Sequence, residues 1–533
     1  MPIATLDQVL RHYSRDSPDK IALRAGKRTW TYAELRGESA RVAQAMLAEG
    51  VSLQDRVAFL DRNVPEFFTL FFGGGMINAV TLAVNWRLAA PEMAYILNHS
   101  KARVLFIGAE FLGHLAEMNL ETVKRVVVLT QDGRAPGEEV AHDTQIAYED
   151  WIAGHDATDP EVGCRIDDVC YQLYTSGTTG LPKGVELTQR NMMAAMDVGA
   201  REWSIDAESV NLIAMPLFHI AGSGWGIAGF CQGAESVLVY EMDPAEILRL
   251  IETHGVTNSL FVPAVLQILS SFPGVEETDF SRLRKIVYGA SPISEEVLVR
   301  SMKVFGCDFV QVYGLTETTG AITVLPPEDH DPGGDKAHLL RAAGRPWGDV
   351  ELRIVDAETM KDLPGGEVGE IWCSTAQNMK GYWRNEDATA EAFPQGRDEA
   401  GLGYFRTGDA GYIRDGYLFI HDRVKDMIVT GGENVYPAEI ENVLMSHPAI
   451  ADVAVIGVPS EKWGETVKAI VIDRAMVKAS DDDLIAYCRE RLAHFKCPTS
   501  IDRLDALPRN PSGKILKTEL REPYWRDQAR RVN

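Results

Sequence analysis

Eleven consecutive residues, Tyr174-Thr175-Ser176-Gly177-Thr178-Thr179-Gly180-Leu181-Pro182-Lys183-Gly184, concentrate the means to hold a phosphate. Three glycines leave the backbone open for its amides to approach an anion, four hydroxyls add donors, and Lys183 adds a positive charge. A Gly/Ser/Thr loop on its own reads as a flexible surface turn. Here the lysine and the apolar run Val169 to Tyr174 in front of it read as a strand delivering a phosphate-binding loop. The loop is not a Walker A motif, because Pro182 stands where G-x-x-x-x-G-K-[ST] needs its second glycine. That spacing disfavours a P-loop kinase or GTPase.

Two further side chains are candidates on chemical grounds. Glu317, behind Tyr313, Gly314 and Thr316, is the carboxylate suited to Mg2+, a hard cation that favours carboxylate and phosphate oxygens. Its bland alternative is an exposed glutamate at a helix start. His219 closes Met215-Pro216-Leu217-Phe218-His219 and could gate an acid pocket or orient a carboxylate, since a neutral imidazole still donates. A histidine at an apolar strand end can equally be a satisfied core group.

The order of these segments resembles the adenylate-forming superfamily of acyl-CoA synthetases, luciferases and nonribosomal peptide adenylation domains, over almost the whole chain. After the phosphate loop and Met215–His219 come Tyr288-Gly289-Ala290-Ser291-Pro292 and Gln311-Val312-Tyr313-Gly314-Leu315-Thr316-Glu317. Tyr404-Phe405-Arg406-Thr407-Gly408-Asp409, Asp422-Arg423-Val424-Lys425-Asp426, Gly431-Gly432-Glu433-Asn434-Val435-Tyr436-Pro437 and Pro508-Arg509-Asn510-Pro511-Ser512-Gly513-Lys514 complete the series. The resemblance implies ATP, Mg2+ and coenzyme A as partners in converting a carboxylic acid to its acyl-adenylate and then to a thioester. It implies phosphate and catalytic roles for Thr175 and Lys183, with Ser176, Gly177, Thr178 and Thr179 in the same loop. Nucleotide contacts are implied at Gly289, Ala290, Ser291, Gln311, Tyr313, Gly314 and Thr316, and ribose contacts at Asp409 and Arg423. Lys514 would reach the substrate carboxylate and α-phosphate, where an ammonium offsets developing charge; Lys517 nearby is the less suitable lysine. Gly432 would border the entry of the pantetheine thiol, where a side chain would obstruct.

The acid itself is read from Ile220-Ala221-Gly222-Ser223-Gly224-Trp225-Gly226-Ile227-Ala228-Gly229, where the family lines its acyl pocket. Small residues without fixed charge suggest an apolar, roomy tunnel. Amino-acid-activating members place an aspartate in the segment matching Phe218–Gly222, and none is present. A medium- to long-chain fatty acid is the first expectation and an aryl or cyclic acid the second. Carrier-protein loading, luciferase-like oxidation and a non-enzymatic lipid-binding module are the alternatives. The last would predict loss of Lys183, Glu317 or Lys514, all of which are present.

These residues need elements to position them. Thr31-Tyr32-Ala33-Glu34 fits a helix-starting capping box, and Leu35, Val42, Met46 and Leu47 recur at helical spacing towards Gly50. Strands are expected at Arg56 to Leu60, Val169 to Tyr174, Val210 to Met215, Val237 to Tyr240, Thr257 to Val262, Lys285 to Tyr288 and Asp308 to Val312. Helices at Pro244–Thr253 and Ser294–Phe305 separate several of them. Such alternation predicts an α/β fold with mainly parallel sheets and ligands at strand ends. From about Glu351 the runs shorten. After Asp422 comes a new unit with a helix from Pro437, strands at Val453–Val458 and Lys468–Ile472, and a helix near Asp481–Leu492. The expected organisation is a large multi-sheet N-terminal domain, 1–422, joined by a hinge to a small α+β C-terminal domain, 423–533.

The bulk numbers bound the partners. With Asp+Glu 77 against Lys+Arg 53, the net charge of −24 would repel a nucleic acid. Seven scattered cysteines fit no disulfide framework or zinc site, and a reducing, cytoplasmic setting is expected. The first residues lack the apolar core of a signal peptide. Phe67 to Val84, interrupted by Gly73-Gly74-Gly75 and Asn78, reads as a buried helix rather than a transmembrane span. Peripheral membrane contact and a homodimer are left open.

Overall fold

The computed structural model describes residues 3–130, 145–175, 181–357, 359–423, 426–430, 433–460, 462–474, 477–509 and 515–526. Within them, the apolar strand runs assemble into two large sheets. Six parallel strands form the centre of a nine-stranded sheet, in the order Asp308–Leu315, Lys285–Gly289, Asn258–Phe261, Val210–Ile213, Glu235–Leu238 and Ile21–Ala25. Six more lie side by side in an eight-stranded sheet: Val169–Thr175, Val80–Ala83, Arg56–Leu60, Ala102–Gly108, Arg125–Leu129 and Gln145–Ala147. Antiparallel strands are added at edges, notably Lys183–Thr188 beside Val169–Thr175. Arg56–Leu60, Val80–Ala83 and Asn258–Phe261 are buried at every position, as parallel strands covered on both faces must be.

Between the sheets lie two helices buried on all sides, Glu66–Met76 and Ile220–Cys231. The first presents Phe67 to Phe59 and Tyr171 of the eight-stranded sheet. The second donates Trp225 Nε1 to the Leu212 carbonyl of the nine-stranded sheet at 2.9 Å. Phe68 and Phe72 of the first meet Phe230 of the second, with ring centroids 4.9 and 5.5 Å apart. The single helix expected over Phe67 to Val84 is therefore two elements. The helix stops at Met76, Asn78 takes a positive φ of 55°, and the chain re-enters the sheet as Val80–Ala83. The glycine triplet stays helical because it packs closely: a Cβ at Gly73 would stand 2.6 Å from the Ser39 carbonyl. No helix among the described residues is long and apolar enough to cross a membrane.

The capping box at Thr31 forms as expected, with Glu34 N donating to Thr31 Oγ1 and Thr31 N to Glu34 Oε2. Leu47, at the end of that helix, is exposed rather than part of its buried face. Beyond the large sheets, Glu351–Val355, Gly369–Ser374, Phe405–Arg414 and Tyr417–Arg423 form a four-stranded antiparallel sheet. A smaller α+β unit follows. Its longest strands are Ile450–Ser460 and Gly464–Asp473, flanked by Ile428–Thr430, Glu433–Val435 and Ser500–Arg503. Helices Pro437–Met445, Asp481–Arg489 and Lys517–Trp525 cover this sheet, and Ile440, Leu444, Val455, Val471 and Leu484 give it a core of its own. The helix expected near Asp481–Leu492 ends three residues earlier, at Arg489.

Candidate active site

The two strands that flank the candidate phosphate loop are paired, with Thr175 opposite Lys183. Thr175 Oγ1 donates to Glu317 Oε1 at 3.3 Å, and the Tyr382 hydroxyl donates to the same oxygen at 3.1 Å. Glu317 lies in the short helical turn Thr316–Thr318 after the strand Asp308–Leu315, and its backbone carbonyl accepts from Met379 N at 2.8 Å. Tyr382 is brought there by the strand Gly381–Tyr382, which pairs with Lys183–Thr188 so that Tyr382 faces Val185. The Lys183 ammonium sits 5.0 Å from the Tyr382 ring centroid. Burial, and then the Glu317 charge, push the Tyr382 hydroxyl well above the usual tyrosine range, so it stays a donor at neutral pH. Three strands of the eight-stranded sheet, and the turn that follows one strand of the nine-stranded sheet, thus bring a hydroxyl, an ammonium, a phenol and a carboxylate together.

On the neighbouring strand ends the nucleotide candidates assemble. The Tyr313 hydroxyl donates to Asp409 Oδ2 at 2.8 Å, and Asp409 N donates to Thr407 Oγ1 at 3.1 Å. Arg423 is the register partner of Asp409 in the ladder between Phe405–Arg414 and Tyr417–Arg423. Gly289 and Gly314 are positions where a side chain has no room. A Cβ at Gly289 would stand 2.2 Å from the Val312 carbonyl, and one at Gly314 1.8 Å from the Gly320 carbonyl. Ala290 adopts a φ of 65°, which turns the chain sharply at the end of Lys285–Gly289. Ser291 follows, half-buried, and Thr316 is buried beneath the Glu317 turn.

Gln311 is held from behind. The Tyr288 hydroxyl lies 3.1 Å from Gln311 Oε1 and 3.0 Å from His330 Nε2, while His330 Nδ1 lies 2.9 Å from the Pro326 carbonyl. The carbonyl can only accept, so the neutral ring carries its proton on Nδ1 and takes the Tyr288 proton on Nε2. The Gln311 amide satisfies all three groups when its NH2 faces Tyr288.

The acid side departs from the sequence expectation. His219 precedes the buried helix Ile220–Cys231, and its imidazole is held below the usual histidine value by burial and then by the Arg87 charge. The Arg87 guanidinium lies 5.5 Å from the Phe218 ring centroid and 4.3 Å from that of Trp86. Three of the four glycines of the helix are packed against neighbours, while a Cβ at Gly224 would meet only side-chain ends, Ile220 Cδ1 at 3.3 Å and Met196 Cε at 3.9 Å. A Cβ at Gly222 would stand 2.2 Å from the Pro216 carbonyl, one at Gly226 2.8 Å from Phe68 Cζ, and one at Gly229 2.7 Å from Asn211 Nδ2. Gly222, Gly226 and Gly229 let the helix press against its neighbours, so their missing side chains do not themselves open a channel.

Residues 10–383 match the AMP-binding enzyme family, and residues 439–514 match the AMP-binding enzyme C-terminal domain. The chain belongs to the AMP-binding enzymes. It is an AMP-forming acid ligase, as the order of its motifs implied. Fatty acid–[acyl-carrier-protein] ligase ScoC of Streptomyces coeruleorubidus is 41% identical over 539 residues, covering 100% of this chain and 98% of that protein. Feruloyl-CoA synthase of an Amycolatopsis species is 36% identical over 96% of this chain and 97% of its own length. The solved structure of a Mycobacterium tuberculosis fatty acyl CoA synthetase is 33% identical and superposes with a TM-score of 0.76 over 98% of both chains.

For an AMP-binding enzyme the donor set of Thr175, Lys183, Glu317 and Tyr382 is chemically apt. Among the described residues no group of three His, Cys, Asp or Glu side chains could hold a metal by itself. A single carboxylate, Glu317, beside the phosphate hairpin suits Mg2+, which is commonly bound by one or two carboxylates together with substrate phosphates. Tyr382 and His330 were missed in the sequence. Neither carries a local signal in the sequence, because each reaches its partner only through the fold. Ser176, Gly177, Thr178, Thr179, Gly432 and Lys514 lie outside the described residues, and Arg423 is described in its backbone only.

Proposed function

We propose that this AMP-binding enzyme joins a medium- to long-chain fatty acid to coenzyme A through an acyl-adenylate, releasing pyrophosphate. The observation that carries the reading is the meeting of Thr175, Glu317 and Tyr382 on one carboxylate oxygen, with Lys183 opposite Thr175. Attack of a carboxylate on the α-phosphate brings two anions together, so the chain's task is positioning and charge neutralisation. In this reading Lys183 and the amides of its loop hold the β- and γ-phosphates, and Glu317 holds Mg2+. The metal, when bound, neutralises phosphate charge. Asp409 and Arg423 take the ribose hydroxyls, Tyr313 fixes the Asp409 carboxylate, and Gly289, Ala290, Ser291, Gln311, Gly314 and Thr316 frame the adenine and α-phosphate. His219, neutral, orients the acid. Lys514 offsets the charge that develops as the mixed anhydride forms. Turning of residues 423–533 about Asp422 then brings Gly432 to the thiol entry for the second step.

ScoC favours a second reading in which the acceptor is the phosphopantetheine of a carrier protein, and the feruloyl-CoA synthase favours an aryl acid. One assay separates these: pyrophosphate release from ATP and Mg2+ with fatty and aryl acids, alone, with CoA, and with a phosphopantetheinylated carrier protein. Release from fatty acids that rises with CoA, with acyl-CoA appearing, is the expected result. A response confined to the carrier protein moves the acceptor, and one confined to aryl acids moves the substrate. Release by Lys514→Ala at the wild-type rate would remove that lysine from the adenylation step.

A further inference from the structure

The turn Met215–His219 is held from across the sheet interface by two buried side chains to which no role has yet been given. It leaves the nine-stranded sheet at the end of Val210–Ile213. Asn63, just past Arg56–Leu60 of the eight-stranded sheet, donates through Nδ2 to the Met215 carbonyl at 3.1 Å and to the Val239 carbonyl at 3.0 Å. Its Oδ1 accepts from Leu217 N at 3.0 Å. Tyr171, in Val169–Thr175, directs its hydroxyl to the Leu217 carbonyl at 3.1 Å and to Ser223 Oγ at 2.9 Å, and Ser223 Oγ donates to the His219 carbonyl at 2.9 Å. His219 N closes the turn on the Pro216 carbonyl at 3.1 Å. Asn63, Tyr171 and Ser223 are all buried.

We infer that Asn63 and Tyr171 are positioning residues for the acid half of the site, acting through the turn that carries His219; this rests on the reading of His219 given above. Two features argue for placement over mere filling. Three of the bonds go to backbone groups of the one turn that bears the imidazole, the Met215 carbonyl and both the amide and the carbonyl of Leu217, and they come from the side of the opposite sheet. The strand that supplies Tyr171 also supplies Thr175, four residues on, which donates to Glu317. A single strand therefore sets the offset between the acid-side turn and the phosphate side.

The test is the split between substrates in the pyrophosphate assay. Tyr171→Phe removes one hydroxyl and keeps the ring, so the KM for the acid should rise about threefold to tenfold, the worth of one hydrogen bond. The KM for ATP should stay within about twofold, below the smallest effect expected on the acid. In a His219→Ala background, Tyr171→Phe should add nothing further to the acid KM. Asn63→Ala should act in the same direction where it folds, as judged by its melting transition. Equal rises in both KM values, or a lowered melting temperature with an unchanged acid KM, would overturn the inference and leave only packing. An undiminished Tyr171→Phe effect where His219→Ala has its own effect would overturn the route through His219. No change in acid KM on His219→Ala alone would instead overturn the role of His219.

Discussion

At the scale of residues, the site is organised around the Glu317 oxygen on which Thr175 and Tyr382 converge. A neutral donor to a carboxylate both fixes its direction and holds its charge in place. Tyr382→Phe keeps the ring under Lys183 and removes only the hydroxyl. Because a hydrogen bond to a charged group is worth about 1.5–3 kcal/mol, the variant should lose about ten- to a hundredfold in kcat/KM for ATP. Much of that loss should be recovered at high Mg2+, if Glu317 is where the metal is held. An unchanged Mg2+ dependence measured by pyrophosphate release would place the tyrosine outside that step. Lys183, Thr175 and Glu317 are legible because their type and local spacing already imply phosphate and metal chemistry. Tyr382, His330 and Asn63 act through partners 65, 42 and at least 152 positions away, and no local pattern marks a tyrosine or asparagine as the one that will arrive.

At the scale of elements, the buried helices Glu66–Met76 and Ile220–Cys231 form the middle layer against which both sheets close. Gly226 lies at their contact, with a Cβ site 2.8 Å from Phe68 Cζ and 2.9 Å from Ile213 Cδ1. Gly226→Val overfills it, and overpacking of this kind costs about 1–3 kcal/mol. A lower denaturation midpoint is expected, with the m-value in urea unchanged if the unfolded chain is unaffected. The strands were readable because short apolar runs bounded by turn residues have few alternatives. The Phe67 to Val84 stretch was not, since a continuous apolar run fits a buried helix and a buried strand alike. The glycines of Ile220–Cys231 were misread for a related reason. A missing side chain signals space in the sequence, and only the neighbour that fills it shows whether the space is open.

At the scale of the whole molecule, four histidines from different parts of the fold, His99, His219, His254 and His330, are held below the usual histidine value, in each case first by burial. Between the lowered value and 6.5 the unfolded chain binds the proton that the folded chain refuses. Stability from these groups is therefore present above about 6.5 and is lost as pH falls towards the folded values. Urea titrations from pH 7 down to pH 5 should show a falling midpoint, and His330→Gln should flatten part of that slope. A midpoint unchanged over this range would refute the prediction. The alternation of strands and helices that makes the large sheets mainly parallel, and the acidity of the chain, were both visible at this scale from rhythm and composition alone. How the two sheets are clamped across their common layer was not, because that depends on pairs such as Asn63 with Met215. The packed glycines of the middle layer bear on engineering. A helix packed this closely at Gly222, Gly226 and Gly229 cannot be carved there into a new binding surface without loosening the joint between two sheets. A library intended to change which acid this ligase accepts would do better to leave Ile220–Cys231 intact and diversify Trp86, Arg87 and Phe218, which pack together beside His219.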